Sequence, residues 1–540
     1  MVMQAQQIQE DGIARDAEIL GQAQDLIEAH TIVVPGHAEY ASKTVAITAQ
    51  IPSSVSFLRT AGRAAPGDGG TGLHKRVAAP NIVKPWHFQS ADSAWWEFAE
   101  DVPTLKYFGA VSGGAAAANR QAFRDAVEFA KYKGGGHVNL GPGSFEIDQT
   151  VILDYTDRPS ERLNGIVGLR GAGVNGTELI WAGAADQPMI LLKGEPDGAD
   201  SSPDMKIGGF KMRPKVAGQG TGIQTLIAAY VQFNDILGFE FDTHFHLIDA
   251  VSCRFFDVEM RWGRRGLWAY RNAFTMPNAM SFFGCSVGGM SEWGLIVERG
   301  STLNWYGGSI ENNGQGSTSS PRGSVMLVTP GGEGACAANF QTHFEATSGT
   351  ADIHVTAGVD PFTLNAMGCS FNRGVLPSTV HNIYVQGDTG SGKVVVNVQG
   401  SAFRHFDGGP TPYTPSASTK YIHLNAVPKW ELHDEGAYYH SAVERPDEAG
   451  GAAAAKVMFN GTNGAITRQR GVSSVQRLAM GKYRINFRNG VRTADAYHAT
   501  MDGIGFHALQ AFTTDYLEIC TYNSSGTLTD FNRVTVTIDD

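Results

Sequence analysis

Between residues 239 and 404 the chain repeats a two-residue signature: an apolar residue followed at once by one suited to solvent. The apolar members are Phe239, Met260, Val287, Ile310, Phe344, Phe371 and Phe403, at spacings of 21, 27, 23, 34, 27 and 32 residues. Their neighbours are Glu240, Arg261, Gly288, Glu311, Glu345, Asn372 and Arg404. Successive residues on a strand point to opposite faces, so each pair reads as one inward and one outward position. Strand-like segments recurring every 20–30 residues or so, with variable turns, mark a solenoid. The expectation is an all-β protein built on a parallel β-helix. In this register Glu311 stacks on Glu345, about 4.8 Å away. The 34-residue gap between their rungs is explained by a loop over Asn312–Pro321, rich in Gly, Ser and Pro. An extra rung hidden there would place the two carboxylates about 10 Å apart.

The flanking segments break this pattern. Residues 1–33 are polar, with Ile13, Leu20 and Ile27 at seven-residue spacing. They predict an amphipathic helix, either a free end or a short multi-chain coil. Residues 34–104 read as a small separate module, with β-like runs at Thr44–Ile51 and Ser54–Leu58 and a turn-rich stretch at 63–72. Phe123, Ala126, Val127 and Ala130 lie at i, i+3, i+4 and i+7, predicting a helix over 119–132 with one apolar face. Gly134-Gly135-Gly136 stops it, and strands follow at His137–Leu140 and Ser144–Ile147 around a Gly141-Pro142-Gly143 turn. The end of a parallel stack invites edge pairing, and this helix is placed to cap it. The β-helix is expected over 105–440. After a Gly/Ala linker at 449–455, residues 441–540 carry short alternating strands such as Gly481–Phe487 and Tyr516–Tyr522, predicting an antiparallel, β-sandwich-like module.

The stretch Lys106-Tyr-Phe-Gly-Ala110, then Asn119, Ala122-Phe123, Ala126 and Ala130, then Gly134-Gly-Gly136, Val138 and Leu140-Gly-Pro-Gly143 resembles the opening of the pectate-lyase-superfamily right-handed β-helix found in bacteriophage tailspike depolymerases. The resemblance implies a homotrimer that binds and cuts a bacterial capsule, exopolysaccharide or O-antigen. It also implies attachment to the phage tail or baseplate through the N-terminal region, and hence a place in the virion. Pro66-Gly-Asp-Gly-Gly70 is similar to particle-proximal modules that precede such helices, and the C-terminal module resembles tail-fibre units used for trimerisation or sugar contact. Polygalacturonases of the same fold carry Asn-Thr-Asp, Asp-Asp, Gly-His-Gly and Arg-Ile-Lys motifs. None occurs inside the expected helix, which argues against a pectin hydrolase of that type.

Composition narrows the partners. The 540 residues include 66 Gly and only 18% charged residues, which suits a turn-rich β protein. A formal net charge of −11 without a basic stripe argues against nucleic acid. No apolar run reaches 18 residues, and no basic segment followed by an apolar one opens the chain, so neither membrane insertion nor a secretory signal is expected. The five cysteines form no CxxC pair. Cys285 and Cys369 each precede an inward residue by two, as buried thiols in a stack would.

Glycosidic hydrolysis needs one carboxylic acid and one carboxylate, about 5–5.5 Å apart in a retaining enzyme. Two carboxylates stacked in a partly dry groove disfavour double ionisation, which prepares such a division of labour. Glu311 and Glu345 are therefore the expected catalytic pair, with His343 positioned to orient a carboxylate or meet a substrate hydroxyl. Arg261, Asn372 and Arg404 from the outward positions, with Trp262, Trp293 and Trp305, are expected to contact the sugar. A competing set of acids comprises Glu240, Asp242, Glu259 and Glu292, with Asp257 read instead as a turn residue. His244 and His246 share a strand face without a clear third ligand, so no metal is expected, nor any cofactor. Alternatives are a polysaccharide lyase, in which a base removes the proton beside a uronate carboxylate, and a non-catalytic receptor-binding or structural tail protein.

Overall fold

The computed structural model describes residues 33–540 apart from 35, 157–166, 195–204, 275, 317–321, 330–335, 374–380, 388–389, 406–420, 435–436, 440–455, 471, 488–495, 503–504, 514 and 540. The helix expected over 1–33 lies outside the described residues except for Val33, which begins a short strand. The expected 449–455 linker also lies outside them.

The chain divides into two compact units. The first runs to Leu327 and takes in Ala338–Gly349 and Asn372–Gly374. It opens with a six-stranded mixed sheet between Val33 and Phe98. The run Thr44–Ile51, expected as a strand, is instead a helix over Lys43–Thr48. Ser42 caps it by accepting a hydrogen bond from the Val45 amide, a local signal that outweighs β-branched propensity. Ala46, Leu58, Phe88 and Trp96 close this sheet's core.

A second helix, Ala116–Tyr132, forms as its apolar spacing predicts, and Gly134, Gly135 and Gly136 follow at φ of 94°, 110° and 114°. Such angles suit glycine, which has no Cβ to clash. Ala122, Phe123, Ala126 and Ala130 are buried, and the helix packs against the strands Gly136–Asn139, Gly143–Ile147 and Val151–Asp154. Phe129 meets Trp86 and Phe98 of the preceding sheet, at 5.4 and 5.1 Å between ring centres.

Parallel strands then wind in three faces. The segment Arg254–Tyr270 shows the plan, because its three parts pair with different portions of the next turn: 254–256 with 281–283, 259–261 with 286–288, and 265–270 with 293–298. We call these faces 1, 2 and 3. Non-glycine residues in the left-handed region turn the corners. Asp235 and Asp257 (φ 50° and 51°) lie between faces 1 and 2; Glu240, Trp262, Asn312 and Ala346 (φ 57°, 49°, 53° and 52°) lie after face 2. The interior is filled by columns of like residues. On face 1, Phe233, Phe255, Phe282 and Trp305 stack with centroid spacings of 4.8, 4.5 and 4.8 Å. All five cysteines are buried thiols outside any disulfide, and burial pushes the Cys253 thiol up to about 12 and that of Cys285 up to about 11.

The second unit contains further parallel strands, including Ala351–Thr356 paired with His381–Gln386 and then Ile422–Asn425. Phe371 and Phe403 stack there at 4.8 Å and 2°. It also contains two four-stranded antiparallel sheets over Lys456–Asp539, which share a core of Val457, Phe459, Tyr483, Ile485, Leu517, Ile519, Val534 and Val536.

Phe282→Ala would open a gap in the middle of the face 1 stack. Removing a fully buried Phe costs about 3–5 kcal/mol, so the denaturant midpoint for the first unit should fall by the corresponding amount. A loss below about 1 kcal/mol would contradict this account of the core.

Candidate functional site

Face 2 presents two outward columns side by side. One runs Phe239, Arg261, Gly288, Glu311, and the other Leu237, Glu259, Ser286, Ser309. The next rung continues the first: the Asn312 amide donates to the Glu345 carbonyl at 2.8 Å, the bond that follows from Glu311 lying beside Glu345 in a parallel ladder. The Ala346 amide donates in turn to the Asn372 carbonyl, at 3.0 Å. No extra rung separates the two glutamates, and the 34-residue interval includes a strand of its own, Gly323–Val328.

Glu311, His343 and Glu345 converge. One oxygen of each carboxylate and a ring nitrogen of His343 all lie within 4.8 Å of one another. His343 Nε2 contacts Glu345 Oε2 at 2.9 Å, with the two side chains 31% and 36% exposed. The trio is thus half sheltered, open enough for a ligand and closed enough to strengthen charge interactions. The sequence pointed to no metal, but these three ligand atoms are of the kind and spacing that hold a divalent cation.

Backbone and glycine geometry hold the rung in place. Asn313, fully buried after the Asn312 corner, accepts from the Met290 amide and donates to the Val287 carbonyl, at 3.1 and 3.3 Å. Gly288 and Gly289 clear the path ahead of the trio. A Cβ at Gly288 would lie 2.9 Å from Arg261 Nη1, and one at Gly289 would lie 2.3 Å from the Trp262 indole. Both side chains therefore lean across this glycine pair toward the rung that carries Glu311. Trp262 is 52% exposed and meets Phe239 edge-on at 4.6 Å, which leaves an aromatic surface beside the acids.

The other expected residues divide. Trp293 and Trp305 are 2% and 0% exposed, inward members of faces 3 and 1, and cannot stack on a sugar. Phe239 is outward rather than inward, because Gly238 takes the inward place beside Met260. Glu240 accordingly falls in the corner and not in the outward column. Asp242 is held by both arms of Arg264, at 2.6 and 2.8 Å, and Glu292 by Arg265 at 2.8 Å and Arg264 at 3.2 Å. Glu259 pairs with Arg261 at 2.5 Å. These acids are occupied by guanidinium groups, which leaves Glu311 and Glu345 as the pair that faces each other. Asp257 adopts φ 51° at a corner, as a turn residue does. Asn372 is half-buried in the rung after Glu345, and Arg404 is exposed within the second unit. His244 is buried with Nε2 donating to the Trp262 carbonyl at 2.6 Å, while His246 stacks on Trp268 at 4.6 Å. The two therefore do not form a metal pair. Gly289 and Asn313 went unnoticed in the sequence, although the doublets Gly288-Gly289 and Asn312-Asn313 signal a corner that must pass close to its neighbours.

Three faces of parallel strands with polar columns outside define a protein of the parallel β-helix type. No family model and no curated protein matches the sequence. Among solved structures, a tailspike of Acinetobacter phage vb_AbaP_AS12 matches with a TM-score of 0.52 at 11% identity, over 91% of this chain and 95% of its own. The enzymatically active domain of tailspike protein 2 of bacteriophage CBA120 gives 0.48 at 11%, over 88% and 75%. A tailspike of Acinetobacter baumannii bacteriophage Fri1, described as a capsular polysaccharide depolymerase, gives 0.41 at 10%, over 93% and 97%. The chain has the fold of phage tailspikes.

The burial of His244 makes this part of the structure sensitive to acid, and its bond to the Trp262 carbonyl opposes the effect only in part. Burial lowers the His244 pKa from 6.5 to about 4, and those of His246 and His74 to about 4 and about 3. The folded state thus prefers neutral rings, while the unfolded chain takes up protons below about 6.5. Stability should be fully present above pH 6.5 and decline as pH falls toward 4. Urea midpoints should show this decline, and His244→Gln, which retains a donor for the Trp262 carbonyl, should make it shallower. A midpoint flat across this range would contradict the assignment.

Proposed function

We propose that the chain is a phage tailspike that binds a bacterial surface polysaccharide and cleaves it internally by glycosidic hydrolysis. The observation that carries this reading is the meeting of Glu311 and Glu345 on adjacent rungs, with carboxylate oxygens within 4.8 Å. That separation suits the retaining mechanism, which needs its two carboxyl groups close together. Glu345, oriented by His343, serves as nucleophile on the anomeric carbon. Glu311 gives its proton to the leaving glycosidic oxygen, and then takes one from the water that frees the enzyme. Arg261 and Trp262 hold the sugar beside the pair, with Asn372 in the following rung. In this reading the β-helix is right-handed, as strand crossovers almost always are, and the 116–132 helix caps its end.

A second reading draws on the same trio. Glu311, His343 and Glu345 could hold a divalent cation against a uronate carboxylate while a base removes the neighbouring proton, giving β-elimination. The two are separated by the products, since only elimination creates a double bond that absorbs in the ultraviolet.

Glu311→Gln and Glu345→Gln should each reduce cleavage of host polysaccharide by roughly 10²–10⁴ or more, with binding retained. Glu259→Gln, already engaged by Arg261, should cleave at near the parent rate. If both Gln variants stay active while a change at Asp242 or Glu292 abolishes cleavage, the acid pair is misassigned. Polysaccharide that is bound but never shortened by the parent protein would point instead to a receptor-binding spike.

The tailspike reading also implies a homotrimer. Light scattering of the full chain should return the mass of three chains; the mass of one would remove this part of the proposal.

A further inference from the structure

The acid pair uses face 2. Face 1 presents a second outward surface, in perfect register over seven rungs. One column runs His137, Gly168, Lys206, Gln232, Arg254, Ser281, Asn304. The other runs Asn139, Arg170, Gly208, Asn234, Phe256, Phe283, Tyr306. At about 4.8 Å per rung the strip is about 29 Å long.

Its first half is a trough of about 790 Å³ bordered by His137, Arg170, Lys206, Asn234 and Asp235. Its floor is bare backbone by necessity: a Cβ at Gly208 would lie 1.7 Å from the Asn234 carbonyl oxygen, and one at Gly168 would lie 2.3 Å from that of Lys206. The second half is an apolar ridge. Phe256, Phe283 and Tyr306 stack on one another at 5.1 and 5.7 Å, with Phe283 and Tyr306 38% and 40% exposed.

The cations of this face differ from those of face 2 in their partners. On face 2, Lys211 and Arg213 share Glu178 at 3.2 and 2.9 Å, and Arg261 holds Glu259. On face 1, Arg170, Lys206 and Arg254 are exposed, and none makes an ion pair among the described residues. Asp235 is the one acid among the trough's lining residues. A second copy seated through the same face would set these cations against their own kind, at a desolvation cost that protein interfaces avoid at their centres. A polymer bearing a carboxylate at intervals, with apolar C–H faces between, satisfies both halves. Three cations spread over seven rungs are too few for a phosphate backbone, which needs a dense basic track.

We propose that face 1 is a second saccharide-binding strip, distinct from the Glu311–Glu345 site, that takes an acidic polysaccharide of the polyuronate kind. Carboxylates pair with Arg170, Lys206 and Arg254, and sugar rings lie against the Phe256–Phe283–Tyr306 ridge. The proposal shares with the reading above only the class of ligand, and it holds or fails whichever carboxylates are catalytic.

The test uses the full chain carrying Glu345→Gln, so that cleavage does not consume the probe, with polygalacturonate and neutral dextran of matched length compared by calorimetry. Polygalacturonate should bind and dextran should not, with affinity falling as salt rises. The triple change Arg170→Ala, Lys206→Ala, Arg254→Ala should weaken binding at least tenfold, and Phe283→Ser with Tyr306→Ser should weaken it independently, both with unchanged circular dichroism. Restoring Glu345 should leave the initial affinity as it was. Failure of polygalacturonate to bind at low salt, equal binding of dextran or of oligothymidylate, or a triple variant as tight as its parent would overturn the proposal. So would aromatic variants that lose oligomeric mass without losing affinity, which would assign the face to a second copy.

Discussion

The coil of the first unit depends throughout on the in-register ladder of parallel backbone hydrogen bonds. Strand side chains alternate with a period of two, so a one-residue slip in any rung would turn its core outward and its surface inward. Where the ladder is kept, Met260, Val287 and Ile310 fall in one inward file and Arg261, Gly288 and Glu311 in one outward file. The meeting of Glu311 with Glu345 is then no separate design. It follows from two rungs that each place a glutamate at the same step of the same face.

The ladder fixes where a side chain starts, and glycine decides where it can go. Gly288 and Gly289 let Arg261 and Trp262 reach into the next rung, and Gly168 and Gly208 keep the face 1 trough open down to its backbone. The two surfaces thus arise from one device used differently. On face 2 the cleared space is filled by Arg261, already engaged with Glu259, and by the Trp262 indole. On face 1 it is left open, and the neighbouring cations make no ion pair among the described residues.

Much of the coil was legible because each rung pairs a bulky apolar residue with a polar one. Met260, Val287, Ile310, Phe344, Phe371 and Phe403 are all buried as read. The reading slipped at Phe239, since the inward residue there is Gly238, which leaves no hydrophobic mark, while the outward Phe239 finds cover against Trp262 and under the Lys211 ammonium. Trp293 and Trp305 misled in the opposite sense, because an aromatic that can serve a sugar surface packs a core equally well. Face 1 was overlooked although its signal was present. Phe255-Phe256, Phe282-Phe283 and Trp305-Tyr306 are aromatic doublets, one member in and one out, and their spacings of 27 and 23 residues match those of Met260, Val287 and Ile310. The paired state of Asp242 and Glu292 could not be read from sequence, since their arginine partners are set by the winding of the chain, whereas Glu259 and Arg261 lie two apart on one strand face and their pairing was legible.

The corners carry a further meaning for how such a chain assembles. Each rung is laid on the one before, so an early misplacement would be copied by every later turn. The left-handed corner residues oppose this. A rung one step out would drive Val258 into the φ of Asp257, a conformation that costs a β-branched residue more than it costs an aspartate, although Ile227 and Trp262 show that bulky residues can adopt it. The corners thus act as a vernier on each turn before the next is templated upon it, adding a local check to the register that the ladder and the buried columns impose.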